Sequence, residues 1–380
     1  MRKKNFTINP LPSASPYKQD EQGFYNVPDS PASNLIMDVL ISGENVADLP
    51  ARKKQINHST TYEVKKKGNR RLVTMTTQTG EITLELSDID KLIGSNKTAK
   101  KLFVLSLIKA NEQAIHDGIL TKDCISFPLK ELTDTGFYTN IRSARAGFWA
   151  GADILTDIKL KGKVSKSKKK VTTLDTGDGK LRVLFTGADI LKGQCYIYLN
   201  TDINWGFLTQ YFTILPTYYF RLSNRASDLL FYIFYLARQH TRDIEERGYF
   251  TIGFRAIQHR LQLPNEKGAA NPQRDIKDPI ERAIEEIEDA HKVTYDNMEF
   301  SLLPVYDDTA PIASYLNNGY LKIELKGGFA KAFIEISKDT AKRIAEAEKR
   351  KERIIEQAMI KATADKMKEE KDQKDQEGAG

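Results

Sequence analysis

Cysteine is scarce. Cys124 and Cys195 are the only two, far apart and without neighbouring metal-ligand side chains, which excludes a disulfide framework and a four-ligand zinc site and makes a reducing, cytoplasmic compartment the expectation. Long apolar runs are missing as well. No stretch of about 18 apolar residues is present to span a bilayer, and the opening MRKKNFTINPLPSASP has no apolar core of a secretory signal, so a soluble protein with no membrane partner is expected. Catalytic signatures are equally thin. The five histidines (His58, His116, His240, His259 and His291) are scattered, and the nearest thing to a phosphate-binding loop is GDGK at residues 177–180, in an expected hairpin turn. No catalytic residue, metal ligand or cofactor is therefore assigned, and a protein that is not an enzyme is expected.

At 380 residues the chain exceeds one ordinary domain, and its 40% hydrophobic content suffices for two cores. The formal charge of +7 is mild, but residues 52 to 71 carry eight basic side chains and one acid, and residues 97 to 170 carry 15 basic and seven acidic ones. Positive potential therefore gathers in the N-terminal half, where a polyanion would dock. Residues 1–34, with Pro10, Pro12, Pro16, Pro28 and Pro31 among small polar residues, read as a disordered arm. From Lys338 onward an Ala-, Glu-, Lys- and Arg-rich pattern reads as a charged helix that fades into DKMKEEKDQKDQEGAG.

Between these ends one order of elements occurs twice. Short strands from Thr61 through TYEVKKKGNRRLVTMTTQTGEITLEL lead into a helix in KTAKKLFVLSLIKANEQAI, with Leu102, Leu105, Ile108 and Ile115 recurring near helical spacing. A strand over residues 124–127, a short helix over 129–133, a turn at Gly136 and a helix from Asn140 to about Leu155 follow. A charged hairpin comes next, its strands over 158–164 and 181–185, with 195–199 as a third strand. About 125 residues after the first copy, RASDLLFYIFYLARQH opens the order again: a strand near 249–252, a helix over 254–261, the turn PNEKGAANPQRD, a helix near 276–290, and strands near 299–305 and 320–325. Helix, strand, helix, turn, helix, hairpin is the winged-helix form of helix-turn-helix. The expected fold is α+β: a disordered N-terminal arm over 1–34, a first winged-helix domain with an N-terminal β extension over 35–205, a second over 206–335, and a charged C-terminal helix over 336–380.

That order directs attention to double-stranded DNA. In the helix from Asn140, Ile141, Ala144, Phe148 and Leu155 fall on an apolar face, while Arg142, Ser143 and Arg145 are assigned to DNA, because a guanidinium fork can bond the O6 and N7 of guanine together. Trp149 lies near the arginines but is assigned to the core. Lys163, Lys166, Lys168, Lys169 and Lys170 in the hairpin, and Lys65, Lys66, Lys67, Arg70 and Arg71 before it, suit phosphates, since an ammonium acts as a point charge. In the second copy Gln273, Arg274, Lys277 and Arg282 stand at the start of the last helix and are assigned to DNA, although residues 275–300 hold nine acids against three bases.

The paired domains, the junction YFTILPTYYFRLSNRASDLLFYIFYLARQ and the helix DPIERAIEEIEDA followed by a hairpin together resemble the plasmid replication initiators of the tandem winged-helix, theta-replication type. The resemblance implies binding to repeated origin sites, self-association, and recruitment of the host initiator and helicase. The acidic second helix departs from that family, in which the second domain supplies major DNA contacts. A transcriptional regulator and a tandem winged-helix protein-interaction module of chromosome organisation use the same order of elements.

Overall fold

The structure, a computed structural model, describes residues 24–28, 36–37, 40, 54–57, 60–67, 70–77, 80–86, 98–110, 124–165, 172–175, 180–200, 212–261, 263–295, 299–327, 329–331 and 333–334. All of them fall within one compact unit, Met1–Ile336. The charged helix expected over 336–380 lies outside the described residues, as does most of the arm expected over 1–34. One piece of that arm is ordered: β1 (Phe24–Pro28) pairs antiparallel with β12 (Phe212–Pro216). The proline-rich average over the arm conceals the local run FYNVP, whose Val27 is fully buried and whose Tyr25 packs edge-on against Phe220, with ring centroids 5.6 Å apart. No helix among the described residues is long and apolar enough to cross a membrane.

The fold is a mixed α+β one. Strands β2 (Lys54–Asn57), β3 (Thr60–Lys67), β4 (Arg70–Thr77) and β5 (Gly80–Leu86) form an antiparallel meander, as their β-branched residues and the breaks at Gly68 and Gly80 predict. Strand β7 (Lys159–Ser165) adds to β5, and β8 (Thr172–Asp175) and β9 (Arg182–Val183) add to β7, which completes seven strands. Register places Val73, Leu84 and Leu160 side by side across β4, β5 and β7, and all three are buried. The lysine-rich hairpin therefore belongs to this extension sheet. Its expected pairing with the segment near 181–185 is confined to two residues of β9, opposite Lys159 and Leu160, and β8 takes β7 at residues 163–165.

Helix α1 covers residues 98–110, followed by β6 (Cys124–Pro128), α2 (Glu131–Asp134), α3 (Ile141–Asp157), β10 (Phe185–Leu191) and β11 (Gln194–Leu199). The last two strands meet at Lys192 and Gly193 with φ of 49° and 80°, the positive pair that a type I′ turn requires. The second half runs α4 (Asn224–Gln239), α5 (Thr241–Arg247), β13 (Tyr249–Gly253), α6 (Phe254–Arg260), a π-helical turn (Gln273–Lys277), α7 (Asp278–Tyr295), β14 (Phe300–Val305), α8 (Ile312–Asn318) and β15 (Tyr320–Leu325). Helices α5 and α8 are additions to the expected order. The two three-stranded sheets have orders β10-β11-β6 and β13-β15-β14. In each, the strand that precedes the helix pair lies against the last strand, with the first strand of the hairpin outermost, so the repeat extends from element order to pairing topology.

Helix α1 is buried around nearly its whole circumference rather than along one stripe. That includes two lysines. Lys100 Nζ forms a buried ion pair with the Asp228 carboxylate of α4. Lys101 Nζ donates to the carbonyl oxygens of Phe220 (3.0 Å) and Leu222 (2.6 Å) around the end of the 3₁₀ turn Thr217–Arg221. Both links tie the first half to the second. On the other flank of α1, Tyr138 Oη and Thr98 Oγ1 are 3.2 Å apart, and Tyr138 reaches that position across Gly147 of α3, where a Cβ would stand 1.9 Å from the phenol oxygen.

Removal of one partner leaves the other charge buried and uncompensated. Asp228→Asn is expected to lower the free energy of unfolding by roughly 3–5 kcal/mol in urea titrations, whereas Lys100→Met combined with Asp228→Leu should be neutral or stabilising. Lys101 supplies a second prediction. Burial, reinforced by the neighbouring Lys100 charge, lowers its pKa from 10.5 to about 8. Between those values the folded chain holds less of this proton than the unfolded chain, so the contribution of Lys101 to stability grows as pH rises through that window. Thermal unfolding followed from about pH 7.5 to about pH 9.5 should show a rise in melting temperature that Lys101→Met lacks.

Candidate nucleic-acid interface

Helix α3 starts cleanly because Asn140 caps it: the Asn140 Oδ1 accepts the Ser143 backbone N–H at 2.8 Å. Its buried stripe is Ala144, Phe148, Gly151, Ala152 and Leu155, with Phe148 set edge-on to Phe127 of β6 at 6.3 Å. Arg142, Ser143 and Arg145 are exposed, and neither arginine has a side-chain hydrogen bond or ion pair among the described residues. A guanidinium left without an acidic partner on the first two turns of a helix is available to phosphates and to guanine edges. Arg145 also feels Cys195 of β11, whose thiol is pushed up to about 12 by burial, with the Arg145 charge acting in the opposite direction.

Two expectations about this helix are corrected. Trp149, assigned to the core, is 44% exposed, and so is Ile141, assigned to the apolar face. The buried stripe at 144, 148, 151, 152 and 155 accounts for both: Trp149 is one step of about 100° beyond Phe148, and Ile141 lies before the stripe begins. The spacing of that stripe separates Trp149 from the core, whereas Ile141 shares the stripe's phase and is exposed because it is the first residue of the helix. Sequence reasoning also passes over Lys192, exposed at the tip of the β10–β11 hairpin, and Lys130, exposed just before α2. Hairpin and α2 are joined where the Leu129 N–H donates to the Gly193 carbonyl at 2.8 Å.

The other assigned cations divide. Lys166, Lys168, Lys169 and Lys170 lie outside the described residues. Lys163 stands in β7 opposite Glu81 and Asp175, its side chain outside the described residues. In the patch before it, Lys65 pairs with Glu63 at 3.2 Å, and Arg70 approaches Glu85 at 3.7 Å, as does Lys159. Lys66, Lys67 and Arg71 are placed in β3 and β4, with side chains outside the described residues. The part of the patch that is described is thus partly neutralised within the sheet.

In the second half the four assigned residues do not act alike. Arg282 is exposed and has no described partner, and Arg274 is exposed with its Nε 3.0 Å from Asp275 Oδ1. Gln273 Nε2 donates to Asp278 Oδ1 at 2.9 Å. Lys277 is turned inward: its ammonium donates to Asp308 at 2.9 Å and sits 4.7 Å from the ring centre of Tyr306 and 5.6 Å from that of Tyr315. Its pKa is raised, chiefly by the hydrogen bond to Asp308. Tyr315, in α8, stacks on Phe254 at 4.4 Å, so the segment between β14 and β15 folds back on α6. Two of the acids in α7 also serve the fold. Glu286 accepts the Ser223 N–H at 2.5 Å, and Glu288 accepts the Leu302 N–H at 3.2 Å.

No protein-family model matches the chain, and no curated protein does. Among solved structures the chain is similar to RctB domains 2-3, at 9% sequence identity over 76% of this chain and 98% of that one, with a TM-score of 0.33. Selenomethionine derivatives of domain 2 and domain 3 of RctB give 10% identity, 75% and 98% coverage, and the same TM-score of 0.33. A likeness at that score fixes neither a fold family nor a function.

Each bidentate arginine–guanine contact contributes about 1–3 kcal/mol of discrimination. Arg142→Ala and Arg145→Ala are each expected to weaken binding to a selected duplex by about 5- to 150-fold in fluorescence anisotropy, while Lys277→Ala should lower the melting temperature and leave first-half binding in place.

Proposed function

We propose that the chain is a sequence-specific double-stranded-DNA-binding protein of two tandem winged-helix units, and that it initiates plasmid replication from repeated origin sites. The observation that carries the DNA reading is the pair Arg142 and Arg145: exposed, without ion pairs among the described residues, in the first two turns of the last helix of a helix–strand–helix–helix–hairpin unit. That unit recurs with the same strand order in the second half. The first unit spans the region expected over 35–205 and the second that over 206–335. In the first, α3 enters the major groove, and Lys192 at the hairpin tip, with Lys163, Lys166, Lys168, Lys169 and Lys170, meets phosphates.

The origin-site reading comes from the resemblance of the paired domains, the junction and the α7 segment to plasmid initiators. With it come self-association and the host initiator and helicase as partners. A second reading, docking of a protein by the second unit, is favoured by one observation: Lys277 is turned inward onto Asp308 beside a helical insertion, α8, where the first unit has a two-residue turn. Mapping of bound sites separates the possibilities. Directly repeated sites in an origin support initiation, a single promoter palindrome supports transcriptional regulation, and loss of all sequence preference overturns base readout.

Salt dependence tests the role of the lysines at phosphates. Replacement of Lys168, Lys169 and Lys170 together by alanine should reduce the slope of log affinity against log salt by about 0.9 for each phosphate that is no longer neutralised, and an unchanged slope excludes that segment from the interface.

A further inference from the structure

The exposed face of α3 carries more than charge. Ile141 and Trp149 are each 44% exposed and flank Arg142 and Arg145. At 3.6 residues per turn, Ile141, Arg145, Trp149 and Arg142 fall within roughly 100° of arc, a stripe that runs along the flank of the buried one. A large indole and a β-branched alkyl group held in water beside two cations without described partners form a surface of mixed chemistry, and it calls for a ligand that offers negative charge, hydrogen-bond acceptors and apolar groups at close spacing.

The major groove offers that combination. Guanine presents O6 and N7 to an arginine, and the thymine C5-methyl is the apolar feature among the base edges. Resting on the DNA reading above, we infer that Ile141 and Trp149 are specificity-determining residues that contact thymine methyl groups, so that the site of the first unit combines guanines with neighbouring thymines. From Ile141 to Trp149 the helix rises about 12 Å, the span of three to four base pairs, so both apolar residues and both arginines fit one groove segment. The cations of the same stripe favour this occupant over a second copy of the chain, whose matching stripe would bring like charges together.

The test uses the full-length chain. Duplexes are selected from a random pool, and each thymine of the consensus is then replaced by deoxyuridine, which removes the methyl group and leaves every hydrogen-bonding group in place. The expected result is a loss of about fourfold at one or two positions beside a guanine, the fold-change for one methyl-sized group withdrawn from an apolar contact. Trp149→Ala or Ile141→Ala should erase that thymine-over-uracil preference and retain the guanine preference. Because the deoxyuridine comparison is made on the unaltered protein, it does not depend on the folding of a variant. Selective binding that is indifferent to uracil at every position overturns the thymine contact alone and leaves the DNA reading standing. Failure to select any sequence overturns both. A fall in the oligomeric state of Trp149→Ala without DNA, measured by sedimentation, also overturns the inference, since the stripe is then a contact between copies.

Discussion

Two adjacent lysines inside one helix set how the two halves of the molecule align. Residues at i and i+1 of a helix point about 100° apart, so Lys100 and Lys101 of α1 cannot share one partner. They reach two different parts of the second half: Asp228 on α4, and the Phe220 and Leu222 carbonyls around the preceding 3₁₀ turn. Carbonyls at the end of a short turn need donors, and the Lys101 ammonium supplies them where water is excluded. An ion pair this deep adds little net stability over an apolar pair of the same volume, but it penalises every arrangement in which the two helices are misaligned. It therefore acts chiefly on register, fixing how α1 meets α4.

The same burial changes the electrostatic picture. Lys100 and Lys101 contribute to the positive sum over residues 97 to 170, yet both are enclosed and occupied by internal partners, and Lys109 in the same helix pairs with Glu131. Charge counted along a segment is not charge presented to a ligand. Outward-facing cations in the described first half include Arg142 and Arg145 on α3, Lys192 on the hairpin tip, Lys130 before α2 and Lys161 in β7, and the two arginines are the pair that shares one helix. A field built from a few unpaired cations on one helix favours local contact over long-range steering, because screening at physiological salt removes most of what lies beyond about 8 Å.

How much of this is legible in the sequence depends on whether a residue's setting is local. The cap at Asn140, the strands near 249–253 and 320–325, and the recurrence of the element order all follow from short-range chemistry, and the structure shows them close to where spacing places them. Helix α1 misleads for a nonlocal reason: a helix enclosed on all sides still carries lysines at two positions, because their partners come from residues 119 to 128 places away. The hairpin misleads for a similar reason. The lysine run looks like a wing by composition, but β7 is captured by β5, a strand more than 70 residues earlier, and the pairing that repeats the second sheet is β10 with β11. On α3 the signal is local after all, since the buried stripe at 144, 148, 151 and 155 already turns Trp149 outward.

Equal topology with unequal chemistry defines the relation between the halves. Both place a long helix after a short one and cover it with a sheet of the same order, so the fold alone would give both the same task. The side chains separate them. In the first half the connection between the last two strands is a two-residue turn with an exposed lysine, and the helix opens with cations that have no described partner. In the second half that connection has grown into α8, which stacks Tyr315 on Phe254 and, through Asp308 in the segment before it, holds the inward-facing cation of the π-helical turn, Lys277. Acids at 286 and 288 are committed to backbone N–H groups, so they stiffen α7 against Ser223 and β14 while they keep its surface electronegative. A helix in that state presents acids along its middle, with exposed cations at its entrance, Arg274 and Arg282, and in its last turn, Lys292. The cations of the second half thus stand at the two ends of an acidic helix, whereas α3 carries Arg142 and Arg145 in its first two turns with no acidic partner among the described residues.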